Sequence, residues 1–553
     1  MLKFAHEHRV DYHLNNDSNI ILVHNTFHFK EYQNQHFHSS EGFSDNGRNE
    51  VFMYYTLDSY KQDVLTYGLQ QTWERIFDML HQLPAEIFNI ESFGELYEIG
   101  LETLDKVDKK EHGKYYTPYD VAKLMSNWLK PLPGENICDV CCGTGNLILA
   151  YLSMLGPGES KKLLSQGRLW LFDLDDTAIY ICKKTIGLKY GAEYEEYIHC
   201  VHGDFLNNNI HLPENCKVIS NPPYFKINSI SSAWNLTPVM TQSKELYAAI
   251  MEKIFTESIA SVIITPYSFI SGKKFFSLRE IMNKQSGSIY SFDNVPGCIF
   301  NGRKHGIFNT NTTNSVRAAI TITNKSLRSK GYQVSPLIRF KNSERKQILT
   351  NQVLENMCPK VKQVAGNLGF AKCHASLQST FKTWIHKSDS HNLQEMVSQN
   401  GQYALCVPNS CRYFTVATRR DLARCGKYTL TFSTETEMLL AYAFINSSFC
   451  YWHWRLYDGG INYSSQLLLQ MPIFVHQFTE EQKDALCTVS RNMIAHEQDH
   501  LSYKKNASVY QETVKFPVSY RSQLNAILCD VLGTDPDLSI LHSNEVGGVV
   551  DEN

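Results

Sequence analysis

The sequence lacks several features that would assign it to common classes of protein. Its 553 residues contain no uninterrupted apolar run of the ~18 residues that a membrane-spanning helix needs. The first residues lack the apolar core of a secretory signal peptide. The 15 cysteines are scattered without a repeated pair spacing, which disfavours a disulfide framework and a structural zinc site. These absences predict a cytoplasmic protein with reduced thiols, no bound metal and no membrane association.

What is present is an ordinary globular composition with an uneven distribution of charge. Hydrophobic residues make up 43% and charged residues 20%, and the length favours more than one domain. The net charge of −3 conceals a basic segment, because residues 325–475 contain 18 lysines and arginines against 8 acidic residues. Such a segment is typical of contact with a polyanion, although a solvated basic surface would have the same composition.

The first half of the chain alternates short apolar strands with helical patterns. A helix over Val121 to Leu129 is followed by a strand that runs into a turn containing Gly143 and Gly145. This turn differs from the G-x-G-x-x-G dinucleotide fingerprint. Acidic residues follow the next two strands, Asp173 after the second and Asp204 after the third. The pattern predicts an α/β fold with a doubly wound, Rossmann-like sheet, in which such acids lie at the ligand-binding edge.

The fourth strand leads into Asn221-Pro222-Pro223-Tyr224. Consecutive prolines have no backbone N–H and keep the preceding residue extended, so this loop is rigid. Asn221 and the Pro222 carbonyl offer hydrogen-bond acceptors, and Tyr224 offers a flat aromatic face. The loop could therefore hold a planar group that carries an NH2, although Asn-Pro-Pro also occurs in plain turns.

Taken in order, these motifs resemble those of the S-adenosylmethionine-dependent DNA adenine-N6 methyltransferases of restriction–modification systems. The resemblance is to the class in which the cofactor motif comes first and the target-recognition domain last. It implies S-adenosylmethionine as cofactor and a flipped adenine in double-stranded DNA as substrate. The implied catalytic residues are Asn221, Pro222 and Tyr224. The implied cofactor-binding residues are Tyr116, Thr117, Asp139, Gly143, Gly145, Asp173, Asp204, Phe205 and Asn221.

The resemblance also implies a stacking partner for the base, and it has two departures. Tyr224 and Phe300 match the aromatics that pack against the flipped base. For Phe300, an ordinary position in the hydrophobic core explains the residue equally well. Cys141-Cys142 stands where small residues or proline are usual. Asp173 stands where glutamate is more usual, so its shorter side chain needs a closer approach to the ribose.

The C-terminal half resembles the specificity domain of the same family more loosely. Arg412, Arg419 and Arg420 are its candidate DNA contacts, whereas Trp452 and Trp454 are expected in the core. The predicted organisation has five parts. These are an N-terminal, partly helical region (1–105), the catalytic domain (106–325), the target-recognition domain (326–475), C-terminal helices (476–532) and a mobile tail (533–553).

Alternatives remain open for the target and for the partners. A similar loop occurs in enzymes that methylate cytosine N4, RNA or a protein glutamine, and a non-catalytic DNA-binding subunit could keep the fold. No Asp-x-Lys or Glu-x-Lys occurs in residues 1–100, which disfavours a fused nuclease there. The resemblance thus allows a separate restriction endonuclease as partner, and it implies a bacterial, nucleoid-associated protein.

Overall fold

The computed structural model describes ten stretches of the chain. They are residues 20–23, 26–29, 117–130, 132–294, 296–300, 316–327, 329–411, 413–460, 462–506 and 509–542. Two predicted site residues, Tyr116 and Arg412, lie outside them. So do the end of the predicted tail, 543–553, and all of the predicted N-terminal region except two short strands.

The described chain contains fourteen strands. In chain order they are β1 Ile20–Val23, β2 Thr26–Phe29, β3 Asn136–Val140, β4 Leu169–Asp173, β5 His199–His202, β6 Cys216–Ser220, β7 Ala260–Pro266, β8 Ser286–Phe292, β9 Ala318–Asn324, β10 Gly331–Ile338, β11 Tyr403–Pro408, β12 Lys427–Phe432, β13 Leu501–Asn506 and β14 Val509–Val514.

Fifteen α-helices accompany them in the same described stretches. They are α1 Tyr119–Asn127, α2 Asn146–Leu155, α3 Pro157–Ser165, α4 Asp176–Tyr190, α5 Pro238–Ser243, α6 Leu246–Glu257, α7 Phe276–Asn283, α8 Arg345–Ile348, α9 Asn351–Met357, α10 Gln378–Ser388, α11 Glu435–Asn446, α12 Ser448–Tyr457, α13 Ser465–Leu469, α14 Glu480–Ala495 and α15 Val518–Leu532. Among these helices, none has both the length and the hydrophobicity of a membrane span.

The chain forms two compact units. Unit 1 comprises Met1–Pro266, Phe300–Asn314 and Ile320–Arg328, and unit 2 comprises Tyr267–Ile299, Ser315–Ala319 and Ser329–Asn553. Both units therefore contain segments that are distant in sequence. The five predicted parts and the boundaries between them stay predictions.

Unit 1 is built on a parallel sheet. Its strands follow the order β7-β6-β3-β4-β5, each parallel to its neighbour, and residues 320–324 of β9 lie beside β7. The central strand β3 has fully buried side chains at Ile137, Cys138 and Val140, as expected for a strand covered on both faces. Parallel strands joined by helices confirm the predicted α/β fold class. They also bring the carboxyl ends of β3 to β6 to one edge.

Unit 2 combines small sheets with a helical core. Strands β8 and β10 pair in parallel, whereas β11–β12 and β13–β14 are antiparallel pairs. Three tryptophans, Trp384, Trp452 and Trp454, are almost fully buried in this unit. The prediction that Trp452 and Trp454 belong to the core is confirmed.

The C-terminal part of the chain differs from the predicted run of helices. Helices α14 and α15 are present, but the β13–β14 hairpin lies between them. The predicted mobile tail also differs in its described part, because Leu538 and Leu541 are buried in the core that surrounds Trp452. Their apolar side chains hold this part of the tail against the unit.

Candidate active site

Four polar side chains follow one another along the carboxyl edge of the unit 1 sheet. Asp139 lies in β3, Asp173 ends β4, Asp204 comes two residues after β5, and Asn221 directly follows β6. This edge is where ligands bind in open α/β sheets. The structure therefore brings the predicted site residues to the ends of four neighbouring strands.

The turn between β3 and α2 requires glycine at residue 145. Gly145 has a φ of 91°, and a Cβ atom added there would lie 2.2 Å from the Cys182 Sγ atom. Gly143 also has a positive φ, and its N–H donates to the Asp173 Oδ2 atom at 2.7 Å. The turn is therefore held to the end of the neighbouring strand by a predicted site residue.

Asp139 is a buried carboxyl group at the head of this turn. It is fully buried, and neither of its oxygens has a hydrogen-bond partner of good geometry. Burial and then the charge of Asp173 raise the pKa of Asp139 well above its ordinary value, while the Ile148 N–H acts in the opposite direction. Such an acceptor is suited to a ligand that brings its own N–H or ammonium group.

The raised pKa of Asp139 predicts a dependence of stability on pH. The folded protein keeps the Asp139 proton to higher pH than the unfolded chain does. The free energy of unfolding therefore falls as pH rises above about 4, the ordinary range of an aspartate, by at most about 1.4 kcal/mol per pH unit. We expect Asp139→Asn to remove this dependence. Urea unfolding of both proteins at and above this pH checks it, and equal slopes of unfolding free energy against pH would contradict it.

The Asp204 carboxylate has partners that the sequence did not reveal. Its Oδ1 atom accepts from the Leu206 N–H at 3.0 Å, and its Oδ2 atom accepts from the Trp234 Nε1–H at 2.6 Å. Trp234 lies in the segment that follows the Asn221-Pro222-Pro223-Tyr224 loop, so this bond joins the segments that follow β5 and β6. An indole N–H has no acceptor role, which fixes Asp204 as the acceptor in this pair.

Phe205 is held from two sides. Its ring meets Phe172 edge-on with 5.7 Å between centroids, and the Lys253 Nζ atom lies 4.9 Å from the ring centroid. Lys253 also donates to the carbonyl oxygens of Phe205 and Asn207 at 2.7 and 3.0 Å. Lys253 therefore stabilises the loop after β5. Lys253 lies on α6, far from Phe205 in the sequence, so the residues around Phe205 do not predict this contact.

The amide of Asn221 is held from both ends, by Thr117 and by Tyr224. The Asn221 Nδ2–H donates to the Thr117 Oγ1 atom at 2.9 Å, and the Tyr224 hydroxyl lies 2.7 Å from the Asn221 Oδ1 atom. The same hydroxyl lies 3.1 Å from the Ile264 carbonyl oxygen at the end of β7. Thr117, predicted to bind the cofactor, thus contacts the predicted catalytic asparagine. An amide oxygen has two lone pairs, so Oδ1 can accept a second hydrogen bond.

Tyr224 lies between two other aromatic rings. Its centroid is 6.1 Å from that of Phe300 and 6.2 Å from that of Tyr247, and both pairs are edge-on. Phe300 is only 4% exposed. Its place beside Tyr224 suits the predicted contact with a base, and its burial suits a core aromatic. The stacking role of Phe300 stays a prediction, and Tyr247 is a neighbour that the sequence did not reveal.

The two predicted DNA contacts that the structure describes lie in unit 2. Arg419 and Arg420 are exposed, and their backbone N–H groups donate to the Glu497 carboxylate at 2.8 and 3.0 Å. The Arg420 guanidinium also pairs with Glu512 at 3.1 Å. Their contact with DNA stays a prediction.

Among the described residues, no group of three or more His, Cys, Asp or Glu side chains is placed to hold a metal ion.

Comparison with known proteins gives one family match and several distant relatives. Residues 89–284 match the family model described as N-6 DNA Methylase. The chain is 24% identical over 147 residues to the Type I restriction enzyme MpnII methylase subunit of Mycoplasma pneumoniae, and 28% identical over 152 residues to the Type II methyltransferase M.VspI of Vibrio sp. (strain 343). These alignments cover 25% and 27% of this chain, and only 26% and 34% of the relatives' own lengths.

A similarity to a solved structure extends over more of the chain. The cryoEM structure of the DrdV–DNA complex matches with a TM-score of 0.43 at 12% identity, covering 84% of this chain and 66% of that chain.

Proposed function

We propose that this chain, whose residues 89–284 match the model of the N-6 DNA Methylase family, transfers a methyl group from S-adenosylmethionine to the N6 amino group of an adenine in duplex DNA. One observation carries the proposal. The Asn221 amide is held by Thr117 and Tyr224 at the edge of the sheet, beside the adjoining strand that carries Asp139. An oriented amide oxygen next to a ligand-binding edge is what the methylation of an amino group needs.

The residues at this edge fit S-adenosylmethionine. Asp139 offers buried oxygens that lack a partner of good geometry and suit an ammonium group. Gly143 and Gly145 allow the backbone to approach a ligand closely, and Asp173 ends the strand where a ribose hydroxyl is usually held. In the proposal, Tyr116 and Thr117 cover the methionine end, and Asp204 and Phe205 hold the adenine end. The cofactor would supply an electrophilic methyl group.

The catalytic loop would activate the target nitrogen without a covalent step. The Asn221 Oδ1 atom and the Pro222 carbonyl oxygen would accept the two hydrogens of the amino group. The nitrogen is thereby drawn towards tetrahedral geometry, which makes its lone pair available. These fixed oxygen dipoles would stabilise the positive charge that develops on the nitrogen, which becomes neutral again when one of its two hydrogens leaves as a proton. Because Thr117 and Tyr224 hold the Asn221 amide in place, little reorientation is needed during the reaction.

An adenine reaches this loop only after it leaves the duplex, since its amino group is paired within the helix. Tyr224, together with Phe300, would replace part of the lost stacking, which is worth ~1–3 kcal/mol per base. The basic segment within the proposed target-recognition domain, 326–475, would bind the phosphates through Arg412, Arg419 and Arg420. A separate endonuclease partner and an association with the nucleoid complete the proposal.

The test is a methyl-transfer assay with labelled S-adenosylmethionine and pools of duplex DNA of varied sequence. We expect label in DNA, and N6-methyladenine after digestion to nucleosides and mass spectrometry. RNA and protein pools run in parallel as alternative acceptors. If label appears only in cytosine, RNA or protein, that acceptor is the substrate in place of the proposed adenine. No label in any duplex pool would refute the proposal.

A further inference from the structure

We infer that one face of the β13–β14 hairpin, together with the loop of residues 419–427, forms a contact surface for the DNA duplex. We call it the hairpin surface. The inference rests on the proposed function, because it names a further part of the chain that binds the same substrate. None of the tyrosines that carry it were among the predicted DNA contacts.

The hairpin register places its two tyrosines on the same face. Leu501 pairs with Val514, Tyr503 with Glu512, and residue 505 with Tyr510. Opposite residues of an antiparallel pair share a face, and so do alternate residues of one strand. Tyr503 and Tyr510 are therefore diagonal neighbours on the face that also carries Val514.

This face changes from buried to exposed along the hairpin. Val514 at the base is fully buried in a small core with Cys406, Val416 and Leu422. Tyr503 and Tyr510, farther along the strands, are 61% and 65% exposed. The hairpin thus extends beyond its own core and presents two large aromatic side chains to the surroundings. Neighbouring exposed aromatics of this kind are typical of a binding surface.

Glu512 connects this face to the segment of residues 419–427. Its carboxylate accepts from the Arg420 guanidinium at 3.1 Å and from the Ala423 N–H at 2.8 Å, and its carbonyl oxygen accepts from Arg424 at 3.4 Å. The backbone hydrogen bond from Glu512 to the carbonyl oxygen of Ala423 adds a further link. The tyrosines and the arginines therefore belong to one fixed arrangement.

The charge of the loop indicates the partner. Residues 419–427 contain three arginines and one lysine against a single aspartate, and the sum stays positive when Glu497 and Glu512, which contact this segment, are included. Arginine side chains and tyrosine hydroxyls are both donors to the phosphate oxygens of a duplex, which make up much of its accessible surface. A polyanion matches this combination, and DNA is the polyanion that the proposed reaction requires.

The test compares DNA binding by the full chain and by the Tyr503→Ala/Tyr510→Ala double variant, using fluorescence anisotropy with a duplex that the wild type methylates. We expect the dissociation constant to rise about tenfold, as for the loss of two hydrogen bonds to phosphate groups. The slope of log affinity against log salt should stay unchanged, because neither tyrosine carries a charge. The maximal methylation rate at saturating DNA should stay within about twofold of wild type, because the hairpin takes no part in the chemical step.

The matched control is Tyr197→Ala, which removes a tyrosine that is 44% exposed in unit 1. It should bind DNA as the wild type does. Thermal unfolding of both variants should follow the wild type, since exposed side chains contribute little to stability. DNA affinity of the double variant within twofold of wild type would overturn the inference.

The inference and the proposed function fail in different ways. If the wild type binds duplex DNA but methylates none, the proposed function fails, and anisotropy with an unmethylated duplex still tests the hairpin surface. If methylation is normal in the double variant at limiting DNA concentration, only the hairpin surface is overturned.

Discussion

Asn221→Ala is expected to lower the rate of methyl transfer at least about a thousandfold, the upper range seen when one fixed dipole is removed from a transition state. The substitution removes the oxygen proposed to accept from the target amino group. It also removes one of the two acceptors beside the Tyr224 hydroxyl, and the N–H that donates to the Thr117 Oγ1 atom. Single-turnover measurements with saturating DNA and cofactor report this rate directly.

Cofactor binding by Asn221→Ala should change little, because Asp139, Gly143 and Asp173 remain in place. A titration with S-adenosylmethionine should give a dissociation constant within about threefold of wild type. The control is Asn492→Ala, an exposed asparagine on α14 in unit 2, which should methylate DNA normally. A rate for Asn221→Ala within about tenfold of wild type would refute the assigned role of this amide.

Asp293→Ala should destabilise unit 2 by about 3–5 kcal/mol, the cost of removing one member of a buried ion pair. Asp293 is almost fully buried, and its two oxygens accept from the Nε–H groups of Arg317 and Arg339, each at 2.7 Å. Burial lowers the pKa of Arg339, but Tyr451 and Asp293 together raise it above its ordinary value. Without Asp293, the folded protein would have to hold two guanidinium groups without their carboxylate.

Urea unfolding followed by tryptophan fluorescence measures this loss, because Trp384, Trp452 and Trp454 all lie in the core of unit 2. The matched control is Asp421→Ala. Asp421 is paired with Lys427 at 2.6 Å, yet its side chain is 77% exposed, so the expected loss is below ~1 kcal/mol. Similar losses for the two variants would show that burial does not determine the contribution of Asp293.

The parts of the fold that the sequence predicts are those with a local physical cause. The buried strand β3, the positive-φ glycines after it and the helix α2 follow one another within about twenty residues, each with its own signal. The acids and Asn221 are predicted because each lies in a short strand or within two residues of its end. In the same way, the apolar composition around Trp452 and Trp454 predicts a core position.

The features that the sequence misses depend on contacts between distant residues. The bond from Trp234 to Asp204 joins residues 30 apart, and the one from Arg339 to Asp293 joins residues 46 apart. Neither residue type indicates its partner. The sequence does not predict the β13–β14 hairpin, because its polar and apolar residues alternate only weakly. The stronger helical patterns on both sides predict a continuous run of helices there. Leu538 and Leu541 were missed because two leucines in a polar tail give no periodic signal.

The bond between Asn221 and Thr117 has a consequence for how this chain can be divided into fragments. The two residues are 104 positions apart, and Thr117 precedes both α1, the first helix that the structure describes, and β3, the first strand in the chain order of the parallel sheet. A fragment that begins at Asn136 would keep β3 to β7 and the whole Asn-Pro-Pro-Tyr loop. It would nevertheless lack the hydroxyl that fixes the amide of that loop. The shortest piece of the chain that preserves this arrangement therefore begins upstream of Thr117.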